Sequence, residues 1–460
     1  MIPRRIMGVE TEYGLLCAST TGGNPPIDAE ESAHRLFDPL LKKTRSTNVF
    51  LPNGARLYLD VGAHPEYATA ECDDLGDLIA NDRAGDAIYV DMANQTNEDL
   101  TGINGQLHLF KNNLDSYGNS YGCHENYLVR RRRDFRARID SLIPFFVTRQ
   151  IMVGAGYLQV TDDGAQYKIS QRADIMNDAV SAATTRSRPM INTRDEPHGD
   201  AELYRRLHVI VGDSTMSDST SALKLGVTEA LLHVLEDGKR LPRRELEDPV
   251  KAIRQVSADT TGRALLSFKD GSTMTALELQ QEIYEHVYQH FAANGWLDEL
   301  DPVRAYVFDL WSRTLDALAS DEQEKLSTEI DWIAKRSLLR RYSDRLGVGL
   351  EDSRMQRLDL AWHDITNAGL RTSLEKSGGL VKLVNEERIE VAKAIPPQTT
   401  RAKLRGDFVA LAMENRRDYM VDWMNIRLIE DDGAHQVLLK DPFSPVDAHV
   451  DALMELMDSE

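Results

Sequence analysis

The stretch Asn53–Cys72, NGARLYLDVGAHPEYATAEC, constrains the fold more than any other part of the chain. Extended backbone sends alternate side chains to opposite faces, so Arg56, Tyr58 and Asp60 share one face while Leu57 and Leu59 take the other. One face is apolar enough to bury. The other carries a cation, a phenol and a carboxylate in a row. Glu66 and Thr69 follow after the turn-forming Gly62 and Pro65. Taken alone, the stretch is a half-buried strand with a solvated polar face.

Arg4–Gly14, RRIMGVETEYG, changes the weight of that reading. Gly8, Glu10 and Glu12 alternate with Met7, Val9 and Thr11. Carboxylates two residues apart on one strand face stand roughly 7 Å apart. Held on a sheet, they suit a hard cation such as Mg²⁺. An exposed edge strand would show the same alternation, and Glu-x-Glu alone does not separate the two.

A chain of 460 residues can bury a large core, and the expectation is one big domain plus a smaller one. The formal net charge of −20 argues against bulk nucleic-acid binding, which needs a basic face. Cys17, Cys72 and Cys123 are scattered and lack C-x-x-C spacing, which excludes a disulfide scaffold or thiolate zinc site and suits a reducing cytoplasm. No apolar signal region precedes the first strand, and no run approaches the roughly 18 apolar residues of a membrane span. A soluble, cytoplasmic protein without membrane or nucleic-acid partners is expected. No exposed heptad pattern calls for assembly, so a monomer is expected.

Along the chain, TTGGNPP (Thr20–Pro26) is loop chemistry, and Asp28 caps a helix with Glu31 at its third position. That helix would bury Ala33, Leu36, Phe37, Leu40 and Leu41, with a kink at Pro39. Most of Asp73–Leu100 reads as helix. Gln106–Phe110 and His124–Val129 alternate as strands, with His124 and Asn126 on one face. Ile151–Gln171 reads as a hairpin around Asp162-Asp163-Gly164, and Leu207–Val211 as a strand carrying Arg206, His208 and Ile210 on one face. From Ser217 the pattern turns helical, with 3.6-residue periodicity over Ala276–Ala293, Pro302–Ala319, Glu322–Leu346 and Arg354–Ile365. This half carries no nameable chemistry and is expected to be structural support. Pro396-Pro397 ends a helix and stiffens a linker, which gives domains 1–395 and 396–460. In the second, Val421–Ile429 and Gln436–Lys440 flank an Asp431-Asp432-Gly433 turn, and Val446–Met457 closes the chain as a helix.

Several chemistries are absent. No G-x-x-x-x-G-K-[ST] and no H-E-x-x-H occurs, and Gly154-Ala155-Gly156 lacks the third glycine of a dinucleotide fingerprint. Gly118-Asn119-Ser120-Tyr121-Gly122 fits G-x-S-x-G, but a nucleophile elbow needs a strand straight into the serine and a helix straight after it. Here a polar spacer precedes and a strand follows. What remains is carboxylates, arginines, one phenol and two histidines on strands. That inventory fits oxygen-coordinated Mg²⁺ holding nucleotide phosphates, with guanidinium groups neutralising charge.

Taken together, GVETEYG, NVFLPNGARLYLDVGAHPEYATAEC, LFKNNLDSYGNSYGCHENYLV, TTRSRPMINTRDEPH, YRRLHVIVGDS, PPQTTRAKLRGDF and VDWMNIRL cover nearly the whole chain. The sequence so marked resembles the Pup ligases, a family of the carboxylate–amine ligase superfamily that includes glutamine synthetase. The resemblance implies an α+β fold: a glutamine-synthetase-like, curved and mostly antiparallel sheet packed with helices, plus a small C-terminal α/β domain. It implies ATP and Mg²⁺ as cofactors. Glu10, Tyr58 and Glu66 look like Mg²⁺ ligands, Arg56, Thr69 and Trp423 like ATP contacts, and Asp60 like the catalytic base. By analogy with the superfamily's metal sites, Glu12, His124 and His208 are candidates for a second cation.

The implied reaction joins the C-terminal Glu of Pup, the prokaryotic ubiquitin-like protein, to lysine ε-amines of target proteins through a γ-glutamyl phosphate. Asp60, its basicity raised by desolvation, would deprotonate the amine. Pup is acidic, so Arg186, Arg188, Arg194, Arg206 and the Arg130–Arg133 run are candidate docking ground. Trp423 by itself reads as core of the small domain; contact with nucleotide would make the domain boundary a wall of the site. The alternative is the sister deamidase and depupylase, Dop. That family carries an insertion between the first strand and N-G-A-R-L-Y, where this chain has only a short, helix-sized segment, Leu15–Pro52.

Overall fold

The computed structural model describes residues 2–60, 62–115, 118–183, 187–242, 244–430 and 433–458. Arg186 and the Asp431-Asp432 pair, both singled out above, lie outside the described residues. The fold is α+β, built on an eight-stranded sheet. From one edge to the other its strands are Asp178–Ser181, Pro189–Asn192, Tyr204–Val209, Cys123–Arg130, Met7–Glu12, Pro65–Ala68, Arg56–Leu59 and Asn48–Phe50. All neighbours are antiparallel except the first two, which run parallel. The Glu10 strand is therefore not an edge. It sits between the His124 and Glu66 strands, and its burial alternates as the sequence predicts, with Met7, Val9 and Thr11 inward.

The inward face packs on helices. Gly85 sits where a Cβ would come within 2.3 Å of the Tyr67 ring, so only glycine lets the helix Leu75–Leu100 approach the sheet this closely. Behind the other half, Asp218–Glu236 is buried almost throughout and starts at a Ser217 cap. Asp28 caps Ala29–Thr44 through the Glu31 amide, and that helix runs on through Pro39.

Three expected boundaries shift. Only Tyr157–Thr161 and Gly164–Lys168 form the hairpin, because Ile151–Val153 ends a helix, Phe135–Val153, whose all-round apolar residues mask any stripe. Glu322–Leu346 divides into a short 3₁₀ turn and the helix Asp331–Leu346. The C-terminal strands are Asp418–Val421, Asn425–Glu430 and Gly433–Leu438, followed by the helix Ala448–Asp458.

The diproline is not a free linker. Pro396 and Pro397 are buried, and Pro396 packs at Gly406, where a Cβ would also collide with the Pro52 carbonyl. The C-terminal elements share a core of Leu404, Phe408, Val409, Ile426, Leu428, Val450 and Leu453, and Phe50 of the large sheet enters it.

Glu71, just past the Glu66 strand, ties the two parts together. It accepts from Arg401 Nε at 2.9 Å and Arg405 Nη1 at 3.1 Å, with a further bond from Arg405 Nη2. Arg405 Nη2 also reaches the carbonyl of Gly54 at 2.8 Å. Burial alone would push the Glu71 carboxyl up, but the Arg405 and Arg401 guanidinium groups hold it down at about 2. Removing one partner from a buried pair leaves charge uncompensated, at a cost of about 3–5 kcal/mol. Glu71→Gln should lose stability of that order in urea denaturation at neutral pH. A depressed carboxyl stabilises the fold above its unfolded value of 4.5 and loses that contribution as pH falls towards 2. The gap between wild type and variant should therefore narrow on acidification over this range.

Candidate active site

Directly opposed residues of an antiparallel pair project from the same face. The register sets Glu10 across from His124 and Ala68, and Glu12 across from Glu66, which in turn faces Tyr58. His208 comes to the same face through Asn126, which pairs with both His208 and Gly8. Three carboxylates, a phenol and two imidazoles thus converge outside the sheet.

Glu10 Oε2 lies 3.1 Å from His124 Nδ1, and Glu12 Oε1 3.9 Å from His124 Nε2. The Tyr58 hydroxyl donates to Glu10 Oε1. One ligating atom each from Glu10, His124 and His208 falls within a 4.8 Å span. Gly122 leaves this space open: a Cβ there would sit 2.4 Å from His124 Nε2 and 2.6 Å from Glu12 Oε1. The final glycine of G-x-S-x-G serves this purpose, and the strand Cys123–Arg130 follows where an elbow would need a helix.

The electrostatics show what the cluster lacks. Burial, then the charges of Glu12 and Glu10, push the Glu66 carboxyl up to about 10, so it is protonated at neutral pH. Glu10 would also rise on burial, but the hydrogen bond and charge of His124 hold it well below the carboxylate range. Burial, then His124 and Arg206, depress His208 to about 3, so it is neutral, and its Nε2 is buried without a hydrogen-bond partner among the described residues. Among the described residues no lysine or arginine forms an ion pair with Glu10, Glu12 or Glu66. An orphaned imidazole nitrogen, a proton-holding glutamate and a space only glycine leaves clear all fit a divalent cation.

Beside the cluster, on the same face, lies a pocket of about 100 Å³ that Glu10 also borders. Its floor is Gly8, Ala68, Thr69 and Asn126, and its far wall is Pro197, His198, Arg401, Trp423 and Pro442. Thr69 Oγ1 accepts from the Val9 amide at 3.1 Å. Trp423 stands edge-on to Phe50, with ring centroids 4.9 Å apart, under the Arg405 guanidinium. Thr69 and Trp423 are thus brought together. Arg56 does not line the pocket: its guanidinium lies 4.5 Å from the Tyr58 ring centroid and donates to Asn48 Oδ1 at 2.8 Å.

Asp60 follows the Tyr58 strand in a turn, its amide donating to the His64 carbonyl at 3.1 Å. It stands on the cluster's side, where its charge adds to the upward push on Glu66. Its side chain is exposed, so the chain alone does not supply the desolvation expected above. The docking arginines divide. Arg188 is exposed, and Arg194 pairs with Glu196 at 2.7 Å. Arg206 turns into the pocket, bonded to Glu196 at 3.1 Å and Asn126 at 3.3 Å. Within the arginine run, Arg131 forks onto Asp195 and Arg132 pairs with Asp134.

Glu71, Arg401 and His198 carry no mark of a site in the sequence pattern, and Gly122 reads there only as part of a hydrolase-like motif. The spacing of Arg401 and Arg405, one helical turn apart, was the available signal for the clamp.

A sheet-borne cluster of carboxylates and imidazoles beside a pocket, in a chain without a phosphate-loop motif, makes this face the candidate active site of an enzyme. The Pup-ligase protein family model matches residues 5–427. A Pup–protein ligase of Sanguibacter keddieii is 49% identical over 460 residues, covering 99% of this chain and 100% of its own. A crystal structure of Pup in complex with its ligase PafA superimposes with a TM-score of 0.93 at 44% identity, over 99% of this chain and 92% of that one. A structure of PafA with ADP gives 0.84 at 44% identity, over 94% of each. The chain belongs to the Pup-ligase family.

A cation that uses Glu66 must displace its proton. Mg²⁺ affinity should therefore rise with pH between 7 and 9, by up to about tenfold per unit for one proton released. Calorimetric titration in two buffers of different ionisation enthalpy would reveal the release. Glu66→Gln should abolish both the release and the pH dependence.

Proposed function

We propose that this protein uses ATP to ligate the C-terminal glutamate of Pup to lysine ε-amines of other proteins. The observation that carries this reading is the sharing of one sheet face by the acidic cluster and the pocket, with Glu10 bordering both. Thr69 and Trp423 hold the base end of the nucleotide. Arg56, beside Tyr58, meets the phosphates where they leave the pocket. Glu10, Tyr58 and Glu66 would hold Mg²⁺, with Glu12, His124 and His208 available to a second ion, and the bound metal would neutralise phosphate charge during transfer.

A carboxylate does not condense with an amine in water, because hydroxide is a poor leaving group. Transfer of the γ-phosphoryl group to the Pup γ-carboxylate replaces hydroxide by phosphate, with Arg56 steadying the transferring charge. The lysine amine, with a free pKa of about 10.4, arrives protonated. Asp60 takes that proton as the amine attacks; inorganic phosphate leaves and an isopeptide bond remains. Because Asp60 is exposed on its turn, the two bound substrates supply the desolvation that strengthens it as a base.

Exposed Arg188, and the Arg130–Arg133 run where it is free of its carboxylate partners, offer docking ground for acidic Pup. Residues 396–460 act as the unit that closes the base end, on a monomeric cytoplasmic enzyme.

The test incubates the protein with ATP, Mg²⁺, Pup ending in glutamate and a lysine-bearing protein. A conjugate of added mass and one phosphate per bond are expected. Loss of Pup from a preformed conjugate, without new conjugation, would instead mean a depupylase. Asp60→Asn should lower conjugation about 10²–10⁴-fold while ADP binding stays unchanged. An unaffected rate would remove Asp60 from the chemistry.

A further inference from the structure

His198 has three features that its sequence position does not explain. Its backbone lies at φ 46°, a left-handed conformation uncommon for a non-glycine residue. Arg401, held by Glu71, donates to the His198 carbonyl, and the Asp200 amide donates to the Lys440 carbonyl at 3.1 Å, so both ends of this short loop are latched to the C-terminal unit. The consequence is that the imidazole lines the pocket next to Trp423, with ring centroids 6.1 Å apart at 41°.

We propose that His198 and Trp423 together form the aromatic grip on the nucleobase of the nucleotide bound in this pocket. The proposal rests on the nucleotide reading given above. Flat aromatic rings bind bases by stacking, and two rings lining one pocket can contact more of a base than either alone. A charged imidazolium would bring a cation beside Arg206 and Arg401. Burial, followed by the charges of those two arginines, lowers His198 to about 4, so it presents a neutral ring at physiological pH. In this left-handed backbone, latched to the C-terminal unit, the ring stands in the pocket beside Trp423.

The test measures ADP and tripolyphosphate binding by calorimetry, with Mg²⁺ present. Wild type must first bind ADP; if it does not, the nucleotide reading itself falls. Given that binding, His198→Ala should weaken ADP about tenfold, of the order seen for loss of one stacked aromatic, and leave tripolyphosphate unchanged. His198→Phe should restore most of the ADP affinity, which a merely structural histidine would not allow. Unchanged ADP affinity in His198→Ala, or equal losses for ADP and tripolyphosphate, would overturn the proposal. If the alanine variant does not fold, His198→Asn serves in its place, since asparagine tolerates the left-handed backbone without offering a ring.

Discussion

Glu12 and Glu66 face each other across adjacent strands in the middle of the sheet, and most of the site follows from that like-charge pair. Opposed carboxylates are destabilising, and this pair has Glu10 two residues away on the same face. Without a cation the protein relieves the conflict by keeping a proton on Glu66 and by hydrogen-bonding Glu10 to Tyr58 and His124. Neither device removes the excess of acceptors. The register cannot relax either, because a one-residue slip would send Met7, Val9 and Thr11 to solvent. Packing behind the sheet therefore enforces, in front of it, the crowding of carboxylates on which the proposed Mg²⁺ site rests.

The helical half takes part in this. Glu125, between His124 and Asn126 in sequence, points inward and is forked by Arg149 at 2.6 and 2.8 Å, while Arg149 also bonds Thr228 and the Lys224 carbonyl. A fully buried ion pair thus pins the middle of the His124 strand to two helices. Lys224 reaches the Asp213 carbonyl at 2.8 Å, beyond the end of the His208 strand. Both histidine-bearing strands are fixed from behind by residues that never meet the site. The helices supply no reacting group, yet they set where the imidazoles stand.

How much of this was legible depended on distance along the chain. The alternation in MGVETE and RLYL revealed which side chains share a face, because a strand's period of two is local. Strand pairing brings Glu10, Tyr58, Glu66, His124 and His208 together, and here the family resemblance did what periodicity could not. The Glu71 clamp escaped notice because its arginines lie some 330 residues away, and nothing local marks a carboxylate that will be buried between guanidinium groups. The pocket side of Arg206 is hidden in the sequence for a related reason. An arginine on a strand next to others looks like surface, and only the arrival of Pro197, His198 and Pro442 over it encloses it. The diproline looked like a linker because proline ends helices, whereas here its rings are part of a packed joint.

On the proposed role of Asp60 as the base, its placement reconciles two demands that oppose each other. A carboxylate base gains strength by desolvation, but a site that accepts a lysine from a folded protein must stay open at the point of entry. The turn from Asp60 to His64 meets both. Gly62 at φ 112° and Ala63 at φ 64° hold it tight, the Asp60 and His64 backbones are hydrogen-bonded to each other, and the His64 ring packs on Tyr121 with centroids 4.8 Å apart. Alanine in the left-handed region costs of the order of 1–2 kcal/mol, so the turn is kept against a local penalty. Asp60 is thus held by backbone hydrogen bonds while its side chain remains exposed. In the proposed reaction its desolvation is left to the incoming partner, so that proton removal would become efficient only once a lysine has covered it.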